Sequence, residues 1–193
     1  GDHVIVSSME HNAVMRPLTQ LAAAGVTFSR AQCAPEGTLD ATEVERLICP
    51  QTRAVVMTHA SNVCGTILPV CEVGAICRRH GIPLVIDAAQ TAGVVPISME
   101  EYGAAAICFT GHKGLLAPQG IGGCVLDPEF ATQIDALVAG GTGSHSDSEQ
   151  MPSFMPDRLE AGTPNLPGLA GLAAALEWLE KTGMDTVRAH EQA

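Results

Sequence analysis

Residues 104–114 have the sequence AAAICFTGHKG, which joins an apolar run to a cluster of reactive side chains. The run at residues 104–109 predicts a buried strand. A hydroxyl, a glycine, an imidazole and an amine follow at residues 110–113. Lysine is mostly a surface residue because burial of its charge is costly, so Lys113 could simply be a solvated loop residue. The other predicted strands decide whether it has a function.

Strands and helices alternate along the rest of the chain. Apolar runs predict further strands at residues 3–7, 26–29, 53–58, 83–86 and 121–126. Asn12 is predicted to cap the first helix, and Pro69 to open another that ends at Gly81. This alternation predicts an α/β fold, in which a three-layer, mostly parallel sheet has helices on both faces. Residues 140–165 are rich in Gly, Ser and Pro and predict a long loop.

The composition argues against several classes of protein. A net charge of −11 would repel phosphate backbones, so nucleic acid is not expected as a partner. No apolar run approaches the roughly 20 residues of a membrane span, so no membrane partner is expected. The seven cysteines lack a Cys-x-x-Cys spacing, which indicates neither a zinc site nor a disulfide framework. A reducing cytoplasm is the simplest location, and no metal is expected.

We expect residues 1–193 to form part of one domain that lacks flanking segments on both sides. Position 1 is a glycine that leads almost directly into a strand, and the sequence stops inside a predicted helix at residues 187–193.

Polar side chains follow four of the predicted strands. In parallel sheets, ligands bind beyond the carboxyl ends of the strands. The side chains at these ends are Glu10 and His11, Ser61 and Asn62, Asp87 and Gln90, and Thr110, His112 and Lys113. This combination of an amine, carboxylates, amides and imidazoles at one edge predicts a binding site.

These groups fit pyridoxal 5'-phosphate. The Lys113 amine can form a Schiff base with it, and the Asp87 carboxylate can keep the pyridine nitrogen protonated so that the ring accepts electrons. Phosphate binding is predicted for Thr110 and His112. The ring is predicted to stack on His11.

Amide groups complete the predicted set, because Asn62 and Gln90 can donate to the phenolic oxygen of the cofactor. Structural alternatives remain open for several of these residues. Asp87 could cap the turn after its strand, and Asn62 could be a turn residue. His11 could be an exposed residue at the start of a helix, and Thr110 could be structural.

The chain resembles the class V aminotransferase family of fold-type I pyridoxal-phosphate enzymes, and most closely the cysteine desulfurase and selenocysteine lyase branch. The matching stretches, which occur in the family's order, are MEHNA at 9–13, SNVCGT at 61–66, DAAQ at 87–90, TGHK at 110–113 and RLEAGTPN at 158–165. By this resemblance Lys113 is the Schiff-base lysine, and His11 is both the stacking ring and an acid/base group. Thr163 would reach the cofactor phosphate of a neighbouring subunit, which implies a homodimer.

The resemblance implies a cysteine desulfurase that converts L-cysteine to L-alanine and passes the sulfur to an enzyme cysteine, and then to a sulfur-acceptor protein. The nucleophilic cysteine, the substrate arginine and another phosphate-binding segment would lie outside residues 1–193, so we expect the chain alone to be inactive. The alternatives are another class V enzyme (aminotransferase, epimerase or selenocysteine lyase) and a non-catalytic remnant.

Overall fold

Six strands form one sheet through the middle of the chain. In the computed structural model, which describes residues 1–191, they are His3–Ser7 (β1), Thr27–Ala31 (β2), Thr52–Thr58 (β3), Leu84–Asp87 (β4), Ala106–Thr110 (β5) and Gly122–Leu126 (β6). Their order across the sheet is β2-β1-β3-β4-β5-β6. All neighbouring pairs are parallel except β5 and β6, which are antiparallel. The predicted α/β fold with a mostly parallel sheet is therefore confirmed.

Seven helices connect and flank the strands within residues 1–191. They are Asn12–Ala23 (α1), Thr42–Leu47 (α2), Val70–His80 (α3), Met99–Tyr102 (α4), Pro128–Gln133 (α5), Leu166–Thr182 (α6) and Met184–Glu191 (α7). Residues 134–165 contain no helix or strand, in agreement with the loop expected there. The end of the last predicted helix, Gln192 and Ala193, lies outside the described residues. None of the helices described has the length and hydropathy of a membrane span.

The start of α1 differs from the sequence-based prediction, and α5 was not predicted. Asn12 is the first residue of α1 and not its cap, because the ring Nδ1 of His11 accepts the N–H of Ala13 at 3.1 Å. Helix α5 is absent from the predictions, although its start carries a recognisable signal. The Asp127 carboxylate accepts two backbone N–H groups there, and Pro128 opens the first turn.

The hydrophobic core lies on one face of the sheet. Val55 and Ile86 are fully buried and belong to the same cluster as Val73 of α3. Successive residues of a strand point to opposite faces, so the side chains that alternate with these face the other way. On that second face Val56 and Val85 are only partly buried and share a cavity with the start of α1.

Helix α3 approaches the end of α4 at a glycine. A Cβ atom at Gly74 would lie 1.7 Å from the carbonyl oxygen of Tyr102. Tyr102 is buried, and its hydroxyl donates a hydrogen bond to the Pro96 carbonyl at 3.0 Å. Glycine is therefore required in the middle of α3, although it costs a helix about 1 kcal/mol relative to alanine.

We expect Gly74→Ala to lower the free energy of unfolding by about 1–3 kcal/mol, because the overpacked contact outweighs the gain in helix propensity. Ala75→Gly is the matched control on the same helix, and it should cost only about 1 kcal/mol. Urea denaturation measures both changes. A Gly74→Ala protein as stable as the wild type would contradict the contact between α3 and α4.

Candidate active site

The carboxyl ends of β1, β3, β4 and β5 meet at one cavity of about 590 Å³, a usual size for a small-molecule site. Seven of the eight residues predicted from the sequence line it, namely His11, Asn62, Asp87, Gln90, Thr110, His112 and Lys113. The eighth, Thr163, does not line it and is exposed in the segment before α6. The structure therefore brings together groups from four separate strand ends.

The floor of this cavity is apolar. Val56 and Val85 form the floor, and Cys108 borders it. Residues two apart in a strand share a face, so β3 and β4 each supply an apolar side chain to the floor and a polar one to the rim. The backbone register sets the heights of these side chains, because Val56 pairs with Val85 on the floor, whereas Asp87 pairs with both Thr58 and Cys108 at the level of the rim. The floor was not predicted from the sequence, although the alternation within these strands indicates it.

A tight turn after β5 carries Lys113. The N–H of Gly111 donates to the Ile121 carbonyl at 2.9 Å, and the N–H of Ala117 donates to the Gly111 carbonyl at 2.8 Å. These hydrogen bonds close the glycine-rich loop onto the start of β6. Lys113 is partly buried and lines the cavity, so it is not a freely solvated loop lysine.

Two glycines hold the lysine turn against the loop that follows Asp87. A Cβ atom on Gly93 would lie 2.3 Å from the Gly114 carbonyl oxygen, and one on Gly114 would lie 2.6 Å from the Ala92 carbonyl oxygen. Gly93 also has a φ of +88°, which side chains rarely adopt. The two loops therefore pack backbone against backbone, which sets the spacing between the Lys113 amine and the Asp87 carboxylate.

Asp87 ends β4 with an oriented carboxylate. The N–H of Ala89 donates to its Oδ1 at 2.9 Å, so Asp87 does cap the turn, and it also lines the cavity. The core supports this turn from below, because the buried ring of His59 makes a hydrogen bond to the Thr91 hydroxyl at 2.8 Å. Burial lowers the pKa of His59, so the ring is neutral at pH 7.

The remaining side chains of the rim also have defined partners. Thr110 Oγ1 and His112 Nδ1 lie 2.8 Å apart and form a hydrogen bond. His11 uses Nδ1 to accept the Ala13 N–H, so its neutral ring carries the proton on Nε2. Asn62 lies in an exposed turn, as its structural alternative proposed, and lines the cavity as well.

Glu10 is a buried carboxyl group that the predicted site residues did not include. Its Oε1 accepts hydrogen bonds from the Ser7 hydroxyl and from the Thr58 N–H, the latter at 2.8 Å. Within the described residues its Oε2 is buried without a partner. Burial raises the pKa of Glu10 from 4.5 to about 7, and the charge of Asp87 contributes in the same direction. The sequence placed Glu10 beside His11 after the first predicted strand but did not indicate its burial.

The groups around the cavity fit pyridoxal 5'-phosphate. They provide an amine for the carbonyl carbon, a carboxylate for the ring nitrogen and a hydroxyl–imidazole pair for the phosphate, above an apolar floor suited to the ring. They offer less to a metal ion. In residues 1–191 no three His, Cys, Asp or Glu side chains converge in a way that could hold one.

Comparison with known proteins identifies the family to which the chain is similar. The family described as Aminotransferase class-V matches residues 1–193. A probable cysteine desulfurase of Halalkalibacterium halodurans is 34% identical over 197 residues, which cover 99% of this chain and 48% of that protein. The chain thus spans about half the length of the curated relatives it matches.

Solved structures agree with this assignment. The apo structure of a cysteine desulfurase from Thermococcus onnurineus NA1 superposes with a TM-score of 0.89 at 32% identity, covering 98% of this chain and 48% of that one. A cysteine desulfurase of Escherichia coli gives a TM-score of 0.87 at 30% identity, covering 96% of this chain and 47% of that one.

We expect Glu10 to make the stability of the protein depend on pH. Its pKa is higher in the folded chain than in the unfolded chain, so its protonation favours folding, and this contribution is lost as the pH rises from about 4.5 through 7. Glu10→Gln cannot ionise. Between pH 5 and pH 8 the free energy of unfolding of the wild type should therefore fall by about 2–3 kcal/mol relative to that variant.

Urea denaturation at the two pH values measures this change. Glu180→Gln, which removes an exposed carboxylate from α6, is the matched control and should follow the wild type. If the stability difference between wild type and Glu10→Gln stayed constant with pH, Glu10 would not be buried in the folded protein.

Proposed function

The chain belongs to the class V aminotransferase family, and on that basis we propose that it is part of a pyridoxal 5'-phosphate-dependent cysteine desulfurase. The enzyme converts L-cysteine to L-alanine and passes the sulfur to a cysteine outside residues 1–193. The observation that carries the proposal is the convergence of Lys113 and Asp87 on one cavity with an apolar floor. In this proposal residues 1–193 form part of the large, cofactor-binding domain.

When bound, pyridoxal phosphate withdraws electrons from the substrate's Cα and so eases the loss of its proton. Lys113 would hold the cofactor through its amine, and the same amine, next to the substrate's Cα, would take up and return the Cα proton. Asp87 keeps the pyridine nitrogen protonated. The N–H of Ala89 orients the Asp87 carboxylate for this role, because it occupies one oxygen and fixes the plane of the group.

Other residues of the rim orient the cofactor. Thr110 and His112 bind its phosphate, and the hydrogen bond between them keeps both side chains in one place. Amide groups of Asn62 and Gln90 donate to its phenolic oxygen. His11 stacks on the ring and assists proton transfer from Nε2, since Nδ1 already accepts a backbone N–H.

A homodimer completes the site in this proposal. Thr163 is exposed and lies outside the cavity of its own chain, which supports a role at the cofactor phosphate of the neighbouring subunit. Large apolar side chains are exposed in the same part of the sequence, among them Leu137, Phe154 and Leu166. Exposed apolar groups of this kind are typical of interfaces between protein chains.

The cysteine that receives the sulfur lies elsewhere in the protein. Cys108 is the cysteine that lines the cavity in the described part of the chain, but its hydrogen bond with Cys124 and its burial raise the pKa of its thiol. A protonated thiol is a poor nucleophile. The free state of all seven cysteines supports a cytoplasmic location. A sulfur-acceptor protein then takes the sulfur onward.

We expect the longer protein that contains this chain to release alanine and sulfide in equal amounts from L-cysteine and a reducing thiol, because each turnover breaks one C–S bond. Amino-acid analysis and a sulfide assay on the same sample measure the ratio. Residues 1–193 alone should release neither product.

Two other outcomes would redirect the assignment. If neither product formed while the cofactor spectrum still responded to other amino acids, the protein would be an aminotransferase, epimerase or lyase of the same family. If the longer protein failed to bind pyridoxal phosphate, it would be a non-catalytic relative.

Lys113→Ala should remove the visible absorbance of the lysine-linked cofactor, because no other amine can replace that of Lys113. It should also lower the activity by about 10²–10⁴-fold, because the group that moves the proton is lost. Lys181, the only other lysine in the sequence, lies exposed on α6, so Lys181→Ala is the matched control and should retain both properties. Borohydride reduction followed by peptide mass mapping should locate the pyridoxyl group on Lys113. Attachment at another residue would overturn the assignment.

A further inference from the structure

Two cysteine side chains face each other across β5 and β6. Cys108 and Cys124 are direct partners in the antiparallel register, and their Sγ atoms lie 3.4 Å apart. Cys108 lines the candidate active-site cavity, whereas Cys124 is exposed and lines a second cavity beside α5. The proposed reaction uses neither thiol.

The pair occupies a position in the sheet where a disulfide fits. The backbone hydrogen bonds that flank this ladder run from Gly111 N–H to Ile121 O and from Asp127 N–H to Ala105 O. Hydrogen-bonded and non-hydrogen-bonded pairs alternate along antiparallel strands, so Cys108 and Cys124 form a non-hydrogen-bonded pair. In such pairs the Cα atoms are about 4.5 Å apart and the side chains are close, which lies within the range that disulfides span.

The two thiols differ in acid strength. The hydrogen bond from Cys108 lowers the pKa of Cys124, and the same contact, together with burial, raises the pKa of Cys108. Cys124 is therefore the thiol that ionises first, and it is also the one that solvent reaches. An exposed thiolate beside a second thiol is the arrangement that thiol–disulfide exchange requires.

We propose that Cys108 and Cys124 form a dithiol site that reacts with low-molecular-weight disulfides, such as glutathione disulfide, and becomes a disulfide between β5 and β6. The Cys124 thiolate attacks one sulfur of glutathione disulfide, forms a bond to it and displaces the first glutathione thiolate. Once Cys124 is in the mixed disulfide, its thiolate no longer raises the pKa of Cys108. The Cys108 thiol then loses its proton to solvent, attacks the Cys124 sulfur, breaks the mixed disulfide and displaces the second glutathione thiolate. The two cysteines lose two electrons and two protons, which appear in two molecules of reduced glutathione.

The new bond would form beside the active-site cavity, at the level of Asp87. Cys108 lies two residues before Thr110, at the end of the strand that leads into the Lys113 turn. The disulfide would therefore tie this strand covalently to β6. The inference is independent of the proposed function, because neither step uses the cofactor or an amino-acid substrate.

The sequence allows this disulfide to be identified without ambiguity. Trypsin cleaves after Arg79, Lys113 and Arg158, which places Cys108 and Cys124 in two adjacent peptides that each hold one cysteine. The longer protein that contains this chain is incubated with glutathione disulfide, its free thiols are blocked, and it is denatured and digested without reduction. We expect the two peptides to be joined, with a mass two hydrogen atoms below the sum of the separate peptides.

Single substitutions provide the controls. Cys108→Ser and Cys124→Ser should both abolish the joined peptide. Cys71→Ser, which removes an exposed cysteine from α3, should leave it unchanged. The rate of joining should also level off at a pH below the pKa of about 8.5 of an ordinary cysteine, because the attacking Cys124 ionises early.

An internal reporter makes a negative result decisive. Cys64 is exposed, and hydrogen bonds with Ser61 and Thr66 lower the pKa of its thiol to about 7, so it should acquire glutathione in the same sample. The proposal is overturned if Cys64 is glutathionylated while Cys108 and Cys124 keep free thiols. It is equally overturned if either of the two is found joined to a different cysteine.

Discussion

Parallel pairing of β1, β3, β4 and β5 is the constraint on which the site depends. Parallel strands bring their carboxyl ends to the same edge of the sheet, so residues as distant in sequence as His11 and Lys113 line one cavity. The antiparallel strand β6 serves a different purpose. It pairs with β5, the strand that leads to Lys113. The two strands lie so close that a Cβ atom on Gly122 would be only 2.7 Å from the Phe109 carbonyl oxygen.

The two faces of this sheet have different roles. The face that packs on α3 carries the fully buried residues of β3 and β4 and supplies the cohesion of the fold. The other face leaves Val56 and Val85 partly open to the cavity. An apolar floor beneath a polar rim suits a planar aromatic ligand that carries charged groups at its edge. Alternation along each strand produces both properties at once, because a single strand serves the core with one set of residues and the site with the other.

Buried polar groups beneath the rim hold the functional loops in place. His59 is hydrogen-bonded to Thr91 in the loop after Asp87, and Glu10 joins the start of the His11 segment to the end of β3. Such groups are costly, and an unpartnered buried oxygen like Oε2 of Glu10 costs about 1–3 kcal/mol. Part of the stability of the core is thereby given up so that the side chains of the rim have fixed positions.

Local patterns in the sequence predicted the positions of the strands along the chain, the α/β class and seven of the residues around the cavity, because a strand that ends in polar residues is visible in a short stretch of sequence. Local patterns also predicted the wrong cap for α1. The backbone conformation at the start of the helix makes His11 the cap and Asn12 the first helical residue, and the sequence pattern does not fix that conformation. The burial of Glu10 and the contact between Cys108 and Cys124 could be recognised only from the folded chain. Both depend on which backbone segments become neighbours, on the register between them and on the exclusion of water by packing. A short stretch of sequence determines none of these.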